Sequence, residues 1–333
     1  MRITVLGAGS WGTTLAILLN YNAHDVTLWA HRAEHAGTLS QARENVRLLP
    51  GFSIPQEIVI TSDLRSAIHR AELIVAAVPA QFVRSVASGL EGHDFRSTIV
   101  VNVAKGIENS SLYTVSEILL DVVPTLRSEH LVTLSGPSFA EEVARQVPTA
   151  VVAASSSLES AKIVQQIFMT PYFRIYSSQD IRGVELAGSI KNVIAIGAGI
   201  ADGAGFGDNT KAAIMTRATS EIARLGHCMG AQQHTFAGLS GIGDLIVTCM
   251  SKLSRNRYVG EEIGKGRRLQ DVLKDMIMVA EGVATTRSVY DLGKKYNVDL
   301  PIVNAVYHVL FEDSDPIIAT SDLMTRVAKG ELE

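Results

Sequence analysis

The chain of 333 residues carries 30 Lys and Arg against 34 Asp and Glu, a formal net charge of −4, with 47% hydrophobic and 19% charged residues. That length suits two domains with a cleft between them, and the composition is that of an ordered globular protein, not a disordered or collagen-like one. The acidic balance argues against a general nucleic-acid or anionic-membrane surface, so any bound anion must be held by a local site.

The chain opens MRITVLGAGS, where a short apolar run passes straight into glycines without the longer apolar core of a signal peptide. RITVL predicts a strand and WGTTLAILLN a helix, and between them stands Gly7-Ala8-Gly9-Ser10-Trp11-Gly12. In that setting the spacing has a mechanical meaning. Gly7 permits the tight turn, Gly9 lets backbone approach a pyrophosphate, and Gly12 lets helix pack on strand. The helix N-terminus then offers N–H groups and a positive dipole end to the phosphates. The next strand, DVTLW, runs into Ala30-His31-Arg32. An NAD-preferring site usually has a carboxylate near this point to bind the ribose hydroxyls. None stands here, and Arg32 is suited to a 2′-phosphate, which favours NADPH or the use of both cofactors; a solvated surface arginine is the alternative.

The β-rich runs continue as EIVIT, LIVAAV, TIVVNV, HLVTL, TAVVAA and YFRIY, separated by helix-length segments. Nearly continuous apolar strands in that rhythm predict an α/β, Rossmann-like, doubly wound and mostly parallel sheet over residues 1–180, covered on both faces. The longest apolar-looking run, LIVAAVPAQFV, contains Pro79 and is too short to span a membrane. Open α/β sheets bind ligands at the carboxyl ends of their strands. Lys105 lies at such an edge after TIVVNV, and Ser135-Gly136-Pro137-Ser138-Phe139-Ala140-Glu141 follows HLVTL. Ser138 and Glu141 have capping-box spacing, and a helix start is also a place where anions dock.

Past the polar stretch YSSQDIRG the strands stop, and residues 181–333 read as an all-α domain. VELAGSIKNVIAIGAGI places Lys191 in an apolar run whose only other charge is Glu185. On a helix its neighbours would be Val184, Ala187, Gly188, Ile194, Ala195 and Ala198, a mostly small side without a carboxylate. The expectation is a lysine on a shallow apolar-walled stripe that a small ligand could approach, its counter-charge coming from elsewhere in the chain. Burial would lower its pKa toward the range useful for proton transfer, and a nearby carboxylate would oppose that shift. A lysine that snorkels to solvent is the alternative. GLSGIGDLIVTC puts Asp244 and Thr248 on one helix face. Ser254-Arg255-Asn256-Arg257 then opens another helix with donors suited to a phosphate dianion, or forms a capped surface turn. Cys228 and Cys249 are too few for a disulfide framework or a zinc site and read as two buried thiols in a reducing cytoplasm.

Together GAGSWGTTLA, VAKGIE, SGPSFAEEVA, ELAGSIKNVIAIGAGI, GDNTKAAIMTR, GLSGIGDLIVTC, SRNRYVG and VAEG resemble the NAD(P)-dependent glycerol-3-phosphate dehydrogenases of the bacterial type. The resemblance implies reversible hydride transfer between NAD(P)H and dihydroxyacetone phosphate, giving sn-glycerol 3-phosphate for phospholipid synthesis, in the cytoplasm and without a metal. It would make Lys191 the proton donor or acceptor, with Lys105, Asp244 and Thr248 in support. Ser254, Arg255, Asn256, Gly136 and Ser138 would hold substrate, and Ser10, Trp11, Arg32, Ala140, Arg255, Val279 and Glu281 would meet NADPH or NADH. His31 departs from the stronger basic pair expected after the second strand, which leaves the cofactor preference open. The resemblance also suggests a homodimer. Two other readings are a Rossmann dehydrogenase acting on a hydroxy acid or ketopantoate-like substrate, and a noncatalytic NAD(P)-sensing module.

Overall fold

Among the described residues, eight of ten strands form one sheet. The computed structural model describes residues 1–90, 93–328, 330 and 331. The strands are β1 (Arg2–Leu6), β2 (Asp25–Trp29), β3 (Glu44–Asn45), β4 (Leu49–Ser53), β5 (Val59–Thr61), β6 (Leu73–Ala76), β7 (Ile99–Asn102), β8 (Leu131–Ser135), β9 (Thr149–Ala154) and β10 (Phe173–Ser178). Their order across the large sheet is β10-β9-β8-β7-β6-β1-β2-β5. Every neighbouring pair is parallel except β8 with β9. The strand order reverses between β1 and β6, which makes the loops after these two strands the natural ligand crevice.

The continuous apolar runs are explained by cover on both faces. β6, β7 and β8 are buried along their whole lengths. Val5, Val75 and Val101 pack on one side with Leu15, Leu19 and Phe173. Leu6, Ile74 and Val100 alternate to the other side and meet Phe95 and Ile118. Sequence patterning did not foresee the antiparallel pair β3 and β4, because LPGFS carries both a proline and a glycine and breaks the strand pattern.

The change from sheet to helices falls between Ser178 and Ile181. Asp180 closes the joint: its carboxylate accepts from Gly183 N at 2.9 Å, Gln232 N at 2.9 Å and Thr235 Oγ1 at 2.6 Å. The helix Ile181–Gly203 then forms the axis of the second half, with all residues from Gly183 to Ala201 buried. The expected open stripe is therefore absent, because helices surround the axis instead of packing on one side of it. This helix is long and apolar enough to cross a bilayer by length and composition, yet its apolar window lies wholly inside the protein. It outranks LIVAAVPAQFV as the longest apolar segment, a fact that Glu185 and Lys191 in its interior obscure.

Around the axis lie Asp208–Cys228, Asp244–Met250, Arg255–Gly264, Glu281–Tyr296 and Pro301–Phe311, with further helices at Leu269–Asp275 and Pro316–Met324. Leu186, Ile190, Val193, Leu225, Val259 and Val303 belong to their common core. Cys249 is buried, but Cys228 is exposed, correcting the expectation of two buried thiols; its helix turns that position outward. The axis and the Arg255–Gly264 helix touch backbone to backbone. A Cβ added at Gly260 would lie 2.0 Å from Ile196 O, and one at Gly199 would lie 2.0 Å from Arg257 O. Replacing Gly260 by Ala should force these helices apart and cost about 2 kcal/mol or more, as overpacking does. Urea denaturation measures this, with an unchanged midpoint contradicting the close approach.

Candidate active site

Four residues expected from sequence meet around one carboxylate. Asp244 begins its helix and is 1% exposed. One of its oxygens, Oδ1, accepts from Lys191 Nζ, and the other accepts from Lys105 Nζ at 2.7 Å. Thr248, one turn on, accepts from Lys191 Nζ at 2.7 Å and donates to Asp244 O at 2.6 Å. Lys105 also donates to Gly136 O at 3.0 Å, and Ser138 Oγ donates to the same carbonyl at 3.0 Å. Each ammonium group has three donors. Asp244 with Thr248, or Asp244 with Gly136 O, takes two of them and leaves one for a ligand.

Lys191 is 6% exposed, so snorkelling does not describe it. Burial lowers its pKa to about 8, against the opposing charge of Asp244 and with the help of Lys105. The shift places proton exchange within reach of neutral pH. Ser138 and Glu141 do not form the capping box that their spacing suggested. The helix Ala140–Ala144 has Phe139 at its N-cap and no side-chain cap, while Ser138 turns back to Gly136 O. Gly136 itself has φ +146°, and a Cβ there would lie 2.9 Å from Val151 Cα.

The dinucleotide loop has the shape its glycines imply. Gly7 has φ +114°, and a Cβ on it would lie 2.5 Å from Ala77 O. A Cβ at Gly12 would lie 1.9 Å from Gly7 O, whereas at Gly9 nothing comes within 4 Å. The helix Ser10–Tyr21 starts at Gly9 without a side-chain cap, so its first N–H groups face a cradle that fits a pyrophosphate. Trp11 is half-buried against Phe173, and Ala140 lies beside the loop helix, its carbonyl accepting from Thr14 Oγ1 at 3.2 Å. Beneath the loop, Asn45 donates to Ala8 O at 3.1 Å and to Thr13 Oγ1 at 2.9 Å. This brace from β3 was not legible in the sequence. His31 and Arg32 follow β2 and are both exposed, and no carboxylate pairs with Arg32 among the described residues.

The remaining candidates connect the loop to the lysines. Glu281 Oε1 accepts from Ala80 N at 3.3 Å, just beyond β6, and Arg255 Nη1 donates to Val279 O at 2.9 Å. Desolvation raises the Glu281 carboxyl, and the charges of Arg255, Lys105 and Lys191 oppose that shift. Ser254 caps its helix by accepting from Arg257 N at 3.2 Å, and Asn256 Oδ1 accepts from Gly282 N at 2.9 Å. Both thus have structural duties in addition to any phosphate contact. Arg257 turns away to Asp202 at 2.6 Å, whereas Arg255 lies within electrostatic reach of Glu281. Asn192 escaped the sequence reading; its Nδ2 lies 3.5 Å from Lys105 O. Its polarity beside Lys191 in an apolar run was the available signal.

Residues 2–161 match the N-terminal region, and residues 180–321 the C-terminal region, of NAD-dependent glycerol-3-phosphate dehydrogenase. The chain belongs to the glycerol-3-phosphate dehydrogenase family. It is 55% identical over 332 residues to glycerol-3-phosphate dehydrogenase [NAD(P)+] of Prosthecochloris aestuarii, covering 100% of both chains. It is 52% identical over 331 residues to the protein of that name from Chlorobium phaeobacteroides, covering 99% of each. Among solved structures, glycerol-3-phosphate dehydrogenase from Coxiella burnetii matches with a TM-score of 0.93 at 33% identity, covering 98% of this chain and 99% of that one. As a family member, the chain is an NAD(P)-dependent oxidoreductase acting on a CH–OH group.

For the dehydrogenase's cofactor loop, the geometry separates two glycines. Gly9→Ala should leave stability within about 0.5 kcal/mol, as surface changes usually do, while weakening NADPH binding because the methyl fills the cradle. Gly7→Ala should lose both stability and binding, since it combines left-handed backbone with a clash against Ala77 O. Thermal denaturation and cofactor fluorescence titration read the two effects; equal stability losses would contradict the assignment.

Proposed function

We propose that the chain interconverts dihydroxyacetone phosphate and sn-glycerol 3-phosphate, with Lys191 giving a proton to the carbonyl oxygen during reduction and removing it during oxidation. The observation that carries this reading is the buried Lys191–Asp244–Lys105 group, in which two ammonium groups share one carboxylate. When bound, NADPH or NADH supplies the hydride. Residues 1–180, as the cofactor domain, would hold it at Gly7, Gly9, Ser10, Trp11, Gly12 and Ala140, with Val279 and Glu281 closing from residues 181–333, the substrate domain. His31 and Arg32 would face the adenosine ribose, and an exposed, unpaired Arg32 supports NADPH as well as NADH.

As the carbonyl becomes an alkoxide, Lys191 neutralises the growing charge by proton transfer, and Lys105 stabilises it from the other side of Asp244. Such preorganised charge costs no rearrangement at the moment of reaction. Thr248 and Asp244 hold the Lys191 ammonium in one orientation. Arg255, with Ser254, Asn256, Gly136 and Ser138, would hold the phosphate and hydroxyls, and this grip, remote from the reacting carbon, would fix that carbon in place. A noncatalytic sensor has no use for this convergence. The enzyme would work in the cytoplasm, supplying glycerophospholipid synthesis; two unpaired cysteines accord with a reducing compartment. A homodimer would cover the exposed Ile317 and Ile318 on a helix without buried residues.

Lys191→Met should lower kcat for dihydroxyacetone phosphate by about 10²–10⁴-fold, the range of general acid–base catalysis. Normal turnover would contradict the role. Reduction needs the ammonium form, so its kcat/KM should fall as pH rises through about 8, whereas oxidation of sn-glycerol 3-phosphate should rise over the same interval. In Asp244→Asn both limbs should move to lower pH, because the carboxylate holds the Lys191 pKa up. Arg255→Ala should raise KM for dihydroxyacetone phosphate by about 10–100-fold, as expected for a lost charge-assisted hydrogen bond, and leave unphosphorylated dihydroxyacetone unaffected. Equal effects on both substrates would remove Arg255 from the phosphate grip.

A further inference from the structure

Glu185, the other buried charge in the axis helix, has no part in the proton transfer, yet it is 5% exposed and heavily hydrogen-bonded. Its Oε1 accepts from Asn102 Nδ2 at 2.7 Å, from Ser116 N at 3.1 Å and from Thr133 Oγ1 at 3.1 Å. Its Oε2 accepts from Ser116 Oγ. The Asn102 and Ser116 N–H groups can only donate, so in either protonation state the oxygen that faces them has to accept. This fixes which way round the Asn102 amide sits. Its Nδ2 turns to Glu185, and its Oδ1 accepts from Ala104 N at 2.9 Å. That last bond shapes the chain one residue before Lys105.

The same helix grips this turn a second time, through Asn192 Nδ2 at 3.5 Å from Lys105 O. We propose that Glu185 is a positioning residue: acting through Asn102, it fixes the turn that presents Lys105 to Asp244, so that one helix sets the spacing of both ammonium groups. This rests on the reading that Lys105 and Lys191 serve the carbonyl. Without an acceptor at position 185, Asn102 Nδ2 keeps only Thr133 Oγ1, at 3.4 Å, so the amide is held less firmly, and any rotation would set Nδ2 against the Ala104 N–H, donor against donor. The turn then moves and Lys105 leaves Asp244. Misplacing a reacting group by about 1 Å can cost on the order of 10²-fold in rate.

A double-mutant cycle in the full-length enzyme tests this, with kcat for dihydroxyacetone phosphate as the readout. Glu185→Gln retains an acceptor toward Asn102 and can donate to Ser116 Oγ, so kcat should stay within about threefold of wild type. Glu185→Met removes the acceptor at similar length and should lower kcat by about 10–100-fold. In a Lys105→Met background the same change should alter kcat by less than about threefold, since residues acting through one another are not additive. A Glu185→Met effect that multiplies fully with Lys105→Met would overturn the proposal, as would full activity of Glu185→Met alone. If Glu185→Met does not fold, Asn102→Ser takes its place in the cycle with the same expected and contrary outcomes. Lys105→Met at wild-type turnover would instead overturn the underlying reading of the site.

Discussion

A single carboxylate, that of Asp244, holds together two cations that would otherwise repel. Lys191 comes from the axis of the helical half and Lys105 from beyond the end of β7 in the sheet, so the pairing joins the halves at the place where the proposed chemistry would occur. Two ammonium groups and one carboxylate carry a net positive charge. In a buried setting this is a field prepared for an oxygen that gains negative charge and for a phosphate nearby. The close helix contact at Gly199 and Gly260 serves the same end, because it lets the Arg255–Gly264 helix lie against the axis that carries Lys191.

Burial and charge act against each other at Lys191. Desolvation alone would take an ammonium group far down, and Asp244 restores part of the loss, leaving a group that exchanges its proton near pH 8. Lys105 keeps more contact with solvent and takes the other oxygen. The division of Asp244 between them gives two like groups different surroundings, as the proposed division of roles requires.

Much of this was legible because it is local or anomalous. The glycine loop depends on backbone clearance over six consecutive residues, and a lysine in an apolar run announces itself. The face on which Lys191 would lie was misread, since helical periodicity assumes one side toward solvent and the axis of the second half has none. Ser138 and Glu141 had the right spacing for a capping box, but the backbone at Gly136 sends Ser138 to a carbonyl instead. Asn102 and Glu185 lie 83 residues apart, and the brace of Asn45 under Ala8 spans 37, so only the assembled fold reveals those contacts.

The apolar axis also has a meaning for biosynthesis. Translation delivers the sheet first, then the helix Ile181–Gly203, and only afterwards the helices from Asp208 onward that cover it. During that interval a segment with the length and composition of a bilayer span is without its helical partners. A charge that looks costly in the finished core then has an earlier effect. An ionisable side chain near the middle of an apolar helix opposes insertion into lipid by about 2.5–3.5 kcal/mol on translocon scales. Lys191, at the middle of the helix, therefore weighs against insertion of the nascent axis into a membrane.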